Sequence, residues 1–171
     1  MSKLARYTLI LVGTAIGFGG AAFASDADVL REAKDRAAIE HLMWRYVRAL
    51  DTFNGDAYAS VYTADGQFVA GGNATKGREA LRKMVTDLGQ ARAARAAGGE
   101  TVAPLHHVIA SSYLEFLGPD QARFHSYWMT VAGAAGQENP PRVLAAGRGI
   151  DELVRVNGEW LIESRDVTPQ N

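Results

Sequence analysis

The sequence predicts an α+β domain in which helices come first and an antiparallel meander follows. Three observations carry this. Ile39, Leu42, Met43, Tyr46, Val47 and Leu50 recur at the spacing of a helix buried on one face. From Leu105 onward, runs rich in β-branched and aromatic residues alternate with turn residues. Asn157-Gly158 separates two such runs and is a strong signal for a type I′ hairpin. Helices gathered on one face of a sheet define the class. The expected form is a cone-shaped, strongly curved antiparallel or mixed sheet, closed by the N-terminal helices into an α+β barrel. Such a cone would enclose an apolar cavity suited to a small molecule.

Asp26 to Asp51 reads as one long helix. Ser25 or Asp26 can cap it, and Asp26, Asp28 and Glu32 complement its positive end. Asp51 closes it at the negative end, where helix stability alone would favour Lys or Arg. Asp56 to Thr63 fits a short helix with Tyr58, Val61 and Tyr62 as packing residues, and Ala64-Asp65-Gly66 reads as a turn. Gln67 to Ala70 is a short strand, and Gly71 to Thr75 a loop of small residues. Gly77 opens another helix with Leu81, Met84, Val85 and Leu88 on its apolar side. Ala91 to Gly99 has little to bury and reads as a fraying end and a mobile loop.

Leu105 to Phe116 is the first long strand, stopped by Gly118-Pro119. Strict alternation places His107, Ile109, Ser111 and Tyr113 on one face. Ala122 to Ala132 follows, with Phe124, Ser126 and Trp128 on one face and His125, Tyr127 and Met129 on the other. Parity does not say which face looks inward. Pro140-Pro141 marks a loop. Arg142 to Val156 and Glu159 to Val167 are the arms of the last hairpin, and Arg165 shares a face with Leu161 and Glu163.

Composition removes several functions. The chain has no cysteine, which excludes disulfides, thiolate nucleophiles and cysteine-ligated metals. It carries 18 Lys and Arg against 19 Asp and Glu, without a basic stripe, so nucleic acid is not an expected partner. His106, His107 and His125 lack metal-ligand spacing, and neighbouring His106 and His107 point to opposite faces of a strand; no metal or other cofactor is expected. Gly71-Gly72 is too little for a phosphate loop, and no Gly-x-Ser-x-Gly elbow occurs.

The order of elements and the residues that punctuate it resemble the SnoaL-like branch of the nuclear transport factor 2-like superfamily, which holds scytalone dehydratase and hexachlorocyclohexane dehydrochlorinase. The resemblance rests on Arg36-Ala37-Ala38-Ile39-Glu40, Tyr46 to Asp51, Lys76-Gly77-Arg78-Glu79-Ala80-Leu81, His106-His107, Leu114-Glu115-Phe116, Asp151-Glu152-Leu153 and Asn157-Gly158-Glu159-Trp160. It spans about Asp28 to Val167. The superfamily also holds polyketide cyclases, formaldehyde-releasing lyases and non-catalytic members, so the fold does not fix the function.

The resemblance implies an Asp–His pair at Asp51 and His107, and an arginine at Arg165, as the catalytic residues. In dehydrochlorinase-like members a lysine stands five residues before the aspartate; here that position is Tyr46. A cation that would stabilise a departing halide is thereby replaced by a group suited to hydrogen-bonding oxygen. If Asp51 accepts a hydrogen bond from one His107 nitrogen, it fixes the tautomer and leaves the other nitrogen to move a proton. Arg165 could hold an anionic or phenolic oxygen, and Tyr46, Tyr113, Tyr127 and Trp128 are the candidate substrate-binding aromatics. Each aromatic could equally be ordinary core packing.

The expected function is a cofactor-free lyase acting on a hydrophobic aromatic or cyclic small molecule, by dehydration, another elimination or aldol-type loss of formaldehyde. An isomerase or cyclase on a polyketide- or steroid-like substrate is the alternative, as is a non-catalytic binding protein of the same fold. A homodimer or homotrimer is expected.

The N-terminus carries its own signal. Lys3 and Arg6 precede a mostly apolar run from Tyr7 to Phe18, and Ala22-Phe23-Ala24 fits a small-x-small cleavage site. Glycines at 13, 17, 19 and 20 interrupt the run and argue against a stable span. Residues 1–24 therefore read as a secretory signal and 25–171 as the domain, giving a periplasmic protein without a membrane contact after cleavage. Loss of Lys3 and Arg6 takes the formal net charge from −1 to −3. Mass spectrometry of protein from a bacterial host is expected to show a mature chain beginning at Ser25; a soluble cytoplasmic product with an intact N-terminus would refute this.

Overall fold

The structure is a computed structural model that describes residues 25–136 and 139–169. The expected signal segment lies outside the described residues. Helix α1 (Asp26–Asp51) begins at a capping box: the Ser25 side chain accepts from the Asp28 N–H, and the Asp28 carboxylate accepts from Ser25. It buries Ile39, Leu42, Met43, Tyr46 and Val47, the face its periodicity predicts. Asn54 caps the short α2 (Gly55–Ser60). Gly55 lies so close to the next long helix that a Cβ there would stand 2.3 Å from Thr86 Oγ1.

Strand β1 (Tyr62–Ala70) starts earlier than the sequence suggests, because an irregularity between Tyr62 and Gln67 absorbs the expected Ala64-Asp65-Gly66 turn. The expected Gly71–Thr75 loop is a hairpin. Gly71 and Gly72 both have positive φ, 57° and 78°, as a two-residue I′-type turn requires, and β2 (Asn73–Lys76) pairs back on β1. Helix α3 (Arg78–Ala97) is longer than predicted. Alanine and arginine are strong helix formers, so it runs on to Gly98 and Gly99 without a buried stripe at its end. Strands β3 (Leu105–Gly118), β4 (Gln121–Ala132), β5 (Arg142–Val156) and β6 (Glu159–Asp166) form the expected meander.

The sheet runs β2-β1-β6-β5-β4-β3, antiparallel except for the parallel β1–β6 pair. The cone-shaped barrel is not what forms. The six-stranded sheet is open, neither strongly curved nor closed, with β2 and β3 as its two edges. Closure would require those edges to pair. β2 has only four residues before Gly77 turns the chain into α3, and α1 packs on the sheet at the β3 side instead.

One ion pair fastens the helix layer to the sheet, and a second joins two strands within the sheet. Asp35 of α1 accepts from Trp160 Nε1 at 3.2 Å and pairs with Arg155 at 2.6 Å, while Arg155 lies over the Trp160 ring at 4.6 Å. This ties α1 to the last hairpin. Asp151 on β5 and Arg165 on β6 are register partners, form an ion pair, and are 0% and 2% exposed. Arg165 Nε and Asp151 Oδ1 remain buried without partners among the described residues. A buried pair so incompletely satisfied is a poor source of net stability, yet removing either member would strand a charge.

Burial pushes the Asp151 carboxyl up from an ordinary 3.8 to about 6, against the opposing pull of Arg165. An acid raised in the folded state stabilises the fold fully below its unfolded value, and that contribution is lost as pH rises through the folded value. Stability is therefore expected to fall by up to about 3 kcal/mol from this group between about pH 4 and pH 6. The Asp151→Asn variant, neutral at every pH, should lack this slope. Urea titrations across that range check it; parallel pH profiles for the two proteins would refute it.

Candidate active site

Asp51 is the last residue of α1, and its carboxylate faces the start of β3. Oδ1 accepts the His107 backbone N–H at 2.9 Å and lies 2.7 Å from His107 Nδ1. The side chains are 11% and 19% exposed, partly buried together. A carboxylate at a helix C-terminus faces the negative end of the dipole, so these donors offset an unfavourable placement. With Nδ1 as the donor in this contact, Nε2 carries the free lone pair of the neutral ring, and it has no hydrogen-bond partner among the described residues.

His107 lines a cavity of about 200 Å³ beneath α1, together with Tyr46, Leu50, Phe68, Trp128 and Arg165. Four expected site residues thus meet around one volume, with Asp51 behind His107. Arg165 stacks over the Tyr46 ring, its guanidinium carbon 4.3 Å from the centroid. Burial opposes its charge, but Asp151 beside it more than compensates and holds it as a cation. Trp128 Nε1 donates to the carbonyls of Arg148 and Val167 at 2.9 and 3.0 Å, so its indole offers the cavity a wall and no donor. The absent side chain of Gly147 makes room for it: a Cβ there would stand 2.8 Å from Trp128 Cζ2.

Tyr113 and Tyr127 do not reach the cavity. They are 65% and 58% exposed, on the opposite face of the sheet. Tyr127 follows the alternation of β4, which turns Phe124, Ser126 and Trp128 inward. Tyr113 departs from the alternation of β3. Ser111 takes a φ of +47°, and the register slips between Ala110 and Tyr113, so Leu114 turns inward and Tyr113 outward.

Three groups of residues, five side chains in all, contribute to the site without having been read there from the sequence. Phe68 and Leu50 complete the cavity wall. Tyr58 and Tyr62 sit behind Tyr46, with their hydroxyls 2.9 Å apart and their rings 5.3 Å apart. Burial pushes both phenols well above the usual tyrosine range, so they stay protonated. Asp151 is the third. A regular hairpin from Asn157-Gly158 would place Ile150 opposite Arg165, and the register shift between Glu152 and Leu153 substitutes Asp151. Among the described residues no group of three or more His, Cys, Asp or Glu side chains gathers as a metal site.

The fold resembles several solved structures. Rv3472 of Mycobacterium tuberculosis, of unknown function, is 25% identical, with 84% of this chain and 76% of that one covered at a TM-score of 0.68. A candidate scytalone dehydratase from Novosphingobium aromaticivorans DSM 12444 is 21% identical, with 81% and 85% covered and a TM-score of 0.63. A type-3 hexachlorocyclohexane dehydrochlorinase from Novosphingobium barchaimii LL02 is 19% identical, with 81% and 88% covered and a TM-score of 0.63. At such identities the last two establish a shared fold. No curated protein matches the sequence. Residues 31–166 match the SnoaL-like domain, a stretch that includes Asp51, His107 and Arg165, and the chain belongs to that family.

Proposed function

We propose that this protein is a lyase that eliminates a small group from a hydrophobic aromatic or cyclic molecule by acid–base catalysis. The observation that carries the reading is the 2.7 Å contact between Asp51 Oδ1 and His107 Nδ1, at the wall of a cavity that Arg165 also lines. His107 Nε2 takes a proton from a substrate carbon. The electron pair left on that carbon forms the new double bond, and the bond to the leaving oxygen breaks. The same imidazolium then returns its proton to that oxygen, which departs as water. Asp51 stabilises the imidazolium between the two transfers. Arg165 holds a phenolic or carbonyl oxygen that gains negative charge during the reaction. Two of the similar folds are named for eliminations, a dehydratase and a dehydrochlorinase, which supports the class. Tyr46, in place of a lysine, favours loss of a hydroxyl over loss of halide.

A second copy of the chain belongs to this proposal. Tyr113, Tyr127, Val143 and Leu144 are large, apolar and exposed, and a homodimer or homotrimer would cover them. Light scattering at micromolar concentration is expected to give more than one chain per particle; a monomer would contradict it.

The catalytic assignment is checked by turnover of aryl substrates carrying a β-hydroxyl group, followed through the absorbance of the new conjugated double bond. Asp51→Asn and His107→Ala are each expected to lower kcat by about 10²–10⁴-fold. The double variant should be little worse than either single one, since the pair acts as a unit. Multiplying losses would refute the coupling. A wild-type protein that binds these molecules without turning any over is a binding protein and not a lyase.

A further inference from the structure

His107 borders two volumes. Beside the inner cavity runs an open groove of about 860 Å³ between α1 and β3, and the two share His107, Val108 and Ile109 as walls. The groove follows α1 from Arg36 to Val47, roughly 16 Å at the helical rise per residue. Its floor is apolar, made by Ile39, Met43 and Val47 of α1 with Leu114 and Phe124 of the sheet. Trp44 stands on its rim and is 61% exposed, an unusual placement for an indole. The rim offers no unengaged arginine: Arg36 pairs with Glu32 at 2.7 Å and lies over the Phe116 ring at 5.2 Å. Glu40, also on the rim, opposes an anionic occupant.

The inner cavity is small. A closed apolar volume of about 150 Å³ holds a single benzene, so 200 Å³ accommodates one substituted ring and not two fused ones. A larger substrate extends beyond the cavity, and the groove begins at the walls the two volumes share, His107, Val108 and Ile109.

We propose that cavity and groove form one channel and that the substrate has two parts: a single hydroxylated aromatic ring held against Arg165, and an uncharged apolar extension lying along α1. The reacting carbon then sits at the junction of the two parts, beside His107 Nε2. This names the substrate class for the lyase site and rests on that site being where substrate binds.

Calorimetric titration with phenol, 4-butylphenol and 4-octylphenol tests it without requiring turnover. Affinity is expected to rise roughly fourfold per buried methylene along the series. The Ser112→Trp variant, which fills the groove from an exposed position, should bind phenol as the wild type does and lose the gain for 4-octylphenol. The emission of Trp44, isolated as the difference from a Trp44→Phe variant, should shift with 4-octylphenol and not with phenol. Equal affinity for all three phenols overturns the channel, and so does a chain-length gain that Ser112→Trp leaves intact. Emission from Trp44 that changes with protein concentration alone would make the groove an interface between copies and also overturn it. Loss of turnover in Asp51→Asn reports on the chemistry, so either reading can fail while the other stands.

Discussion

The arrangement around the site depends on one carboxylate at the wrong end of a helix. Asp51 terminates α1, where the dipole disfavours a negative charge by about 0.3–1 kcal/mol, and it does so in a partly buried position. Oδ1 receives both the backbone N–H and the ring nitrogen of His107. Hydrogen bonds to a charged group contribute about 1.5–3 kcal/mol each, enough to outweigh the dipole. The same contact fixes the end of α1 against β3, the edge strand that a closed barrel would have paired. An edge N–H that would otherwise invite another strand is thereby occupied. The functional geometry and the docking of helix on sheet are thus one interaction.

Arg165 is held from the opposite side by different means. Asp151 neutralises it from the neighbouring strand, and Tyr46 covers it with an aromatic face backed by Tyr58 and Tyr62. Tyrosine phenols that stay protonated add no charge to this layer. The result is a cation fixed in place with little freedom to follow a ligand. Such a group suits charge that develops at one position more than recognition of varied anions. It also explains why the aromatic cluster is buried so completely: screening by water would weaken the field that Arg165 projects into the cavity.

What could be read from the sequence divides along physical lines. The buried face of α1 follows from periodicity, and so does the conflict of Asp51 with the helix dipole, while the role of Asp51 in an Asp–His pair comes through resemblance. His107 and Arg165 came through resemblance, and the structure brings both to the cavity. What escaped the sequence is register. A single left-handed residue, Ser111, reverses the faces of β3 and sends Tyr113 to solvent, and a slip between Glu152 and Leu153 brings Asp151 to Arg165. Bulges of this kind cost one residue of alternation and leave no compositional mark when the residue is not glycine. Gly71-Gly72 did leave a mark, but a four-residue strand of Asn, Ala, Thr and Lys has no hydrophobic pattern to announce it. The cone failed for a related reason: closure depends on whether edges meet, a property of six strands together and of no segment alone.

Charge at the site decides which eliminations it suits. A lysine at position 46 would add a second cation beside Arg165, and the surplus positive field would favour expulsion of an anion that needs no proton. Tyr46 leaves Arg165 paired with Asp151, and His107 paired with Asp51, so each cation formed or held in the site has its own carboxylate. A leaving group in such a balanced environment cannot depart as a bare anion at low cost and has to be protonated as it goes. In the proposed elimination, the imidazolium generated by proton abstraction is the group placed to supply that proton. One histidine serving first as base and then as acid requires both transfers to occur within its reach, which places the carbon acid and the leaving oxygen on the same side of the substrate. For the elimination proposed above, syn geometry would follow from one histidine, His107, serving both transfers.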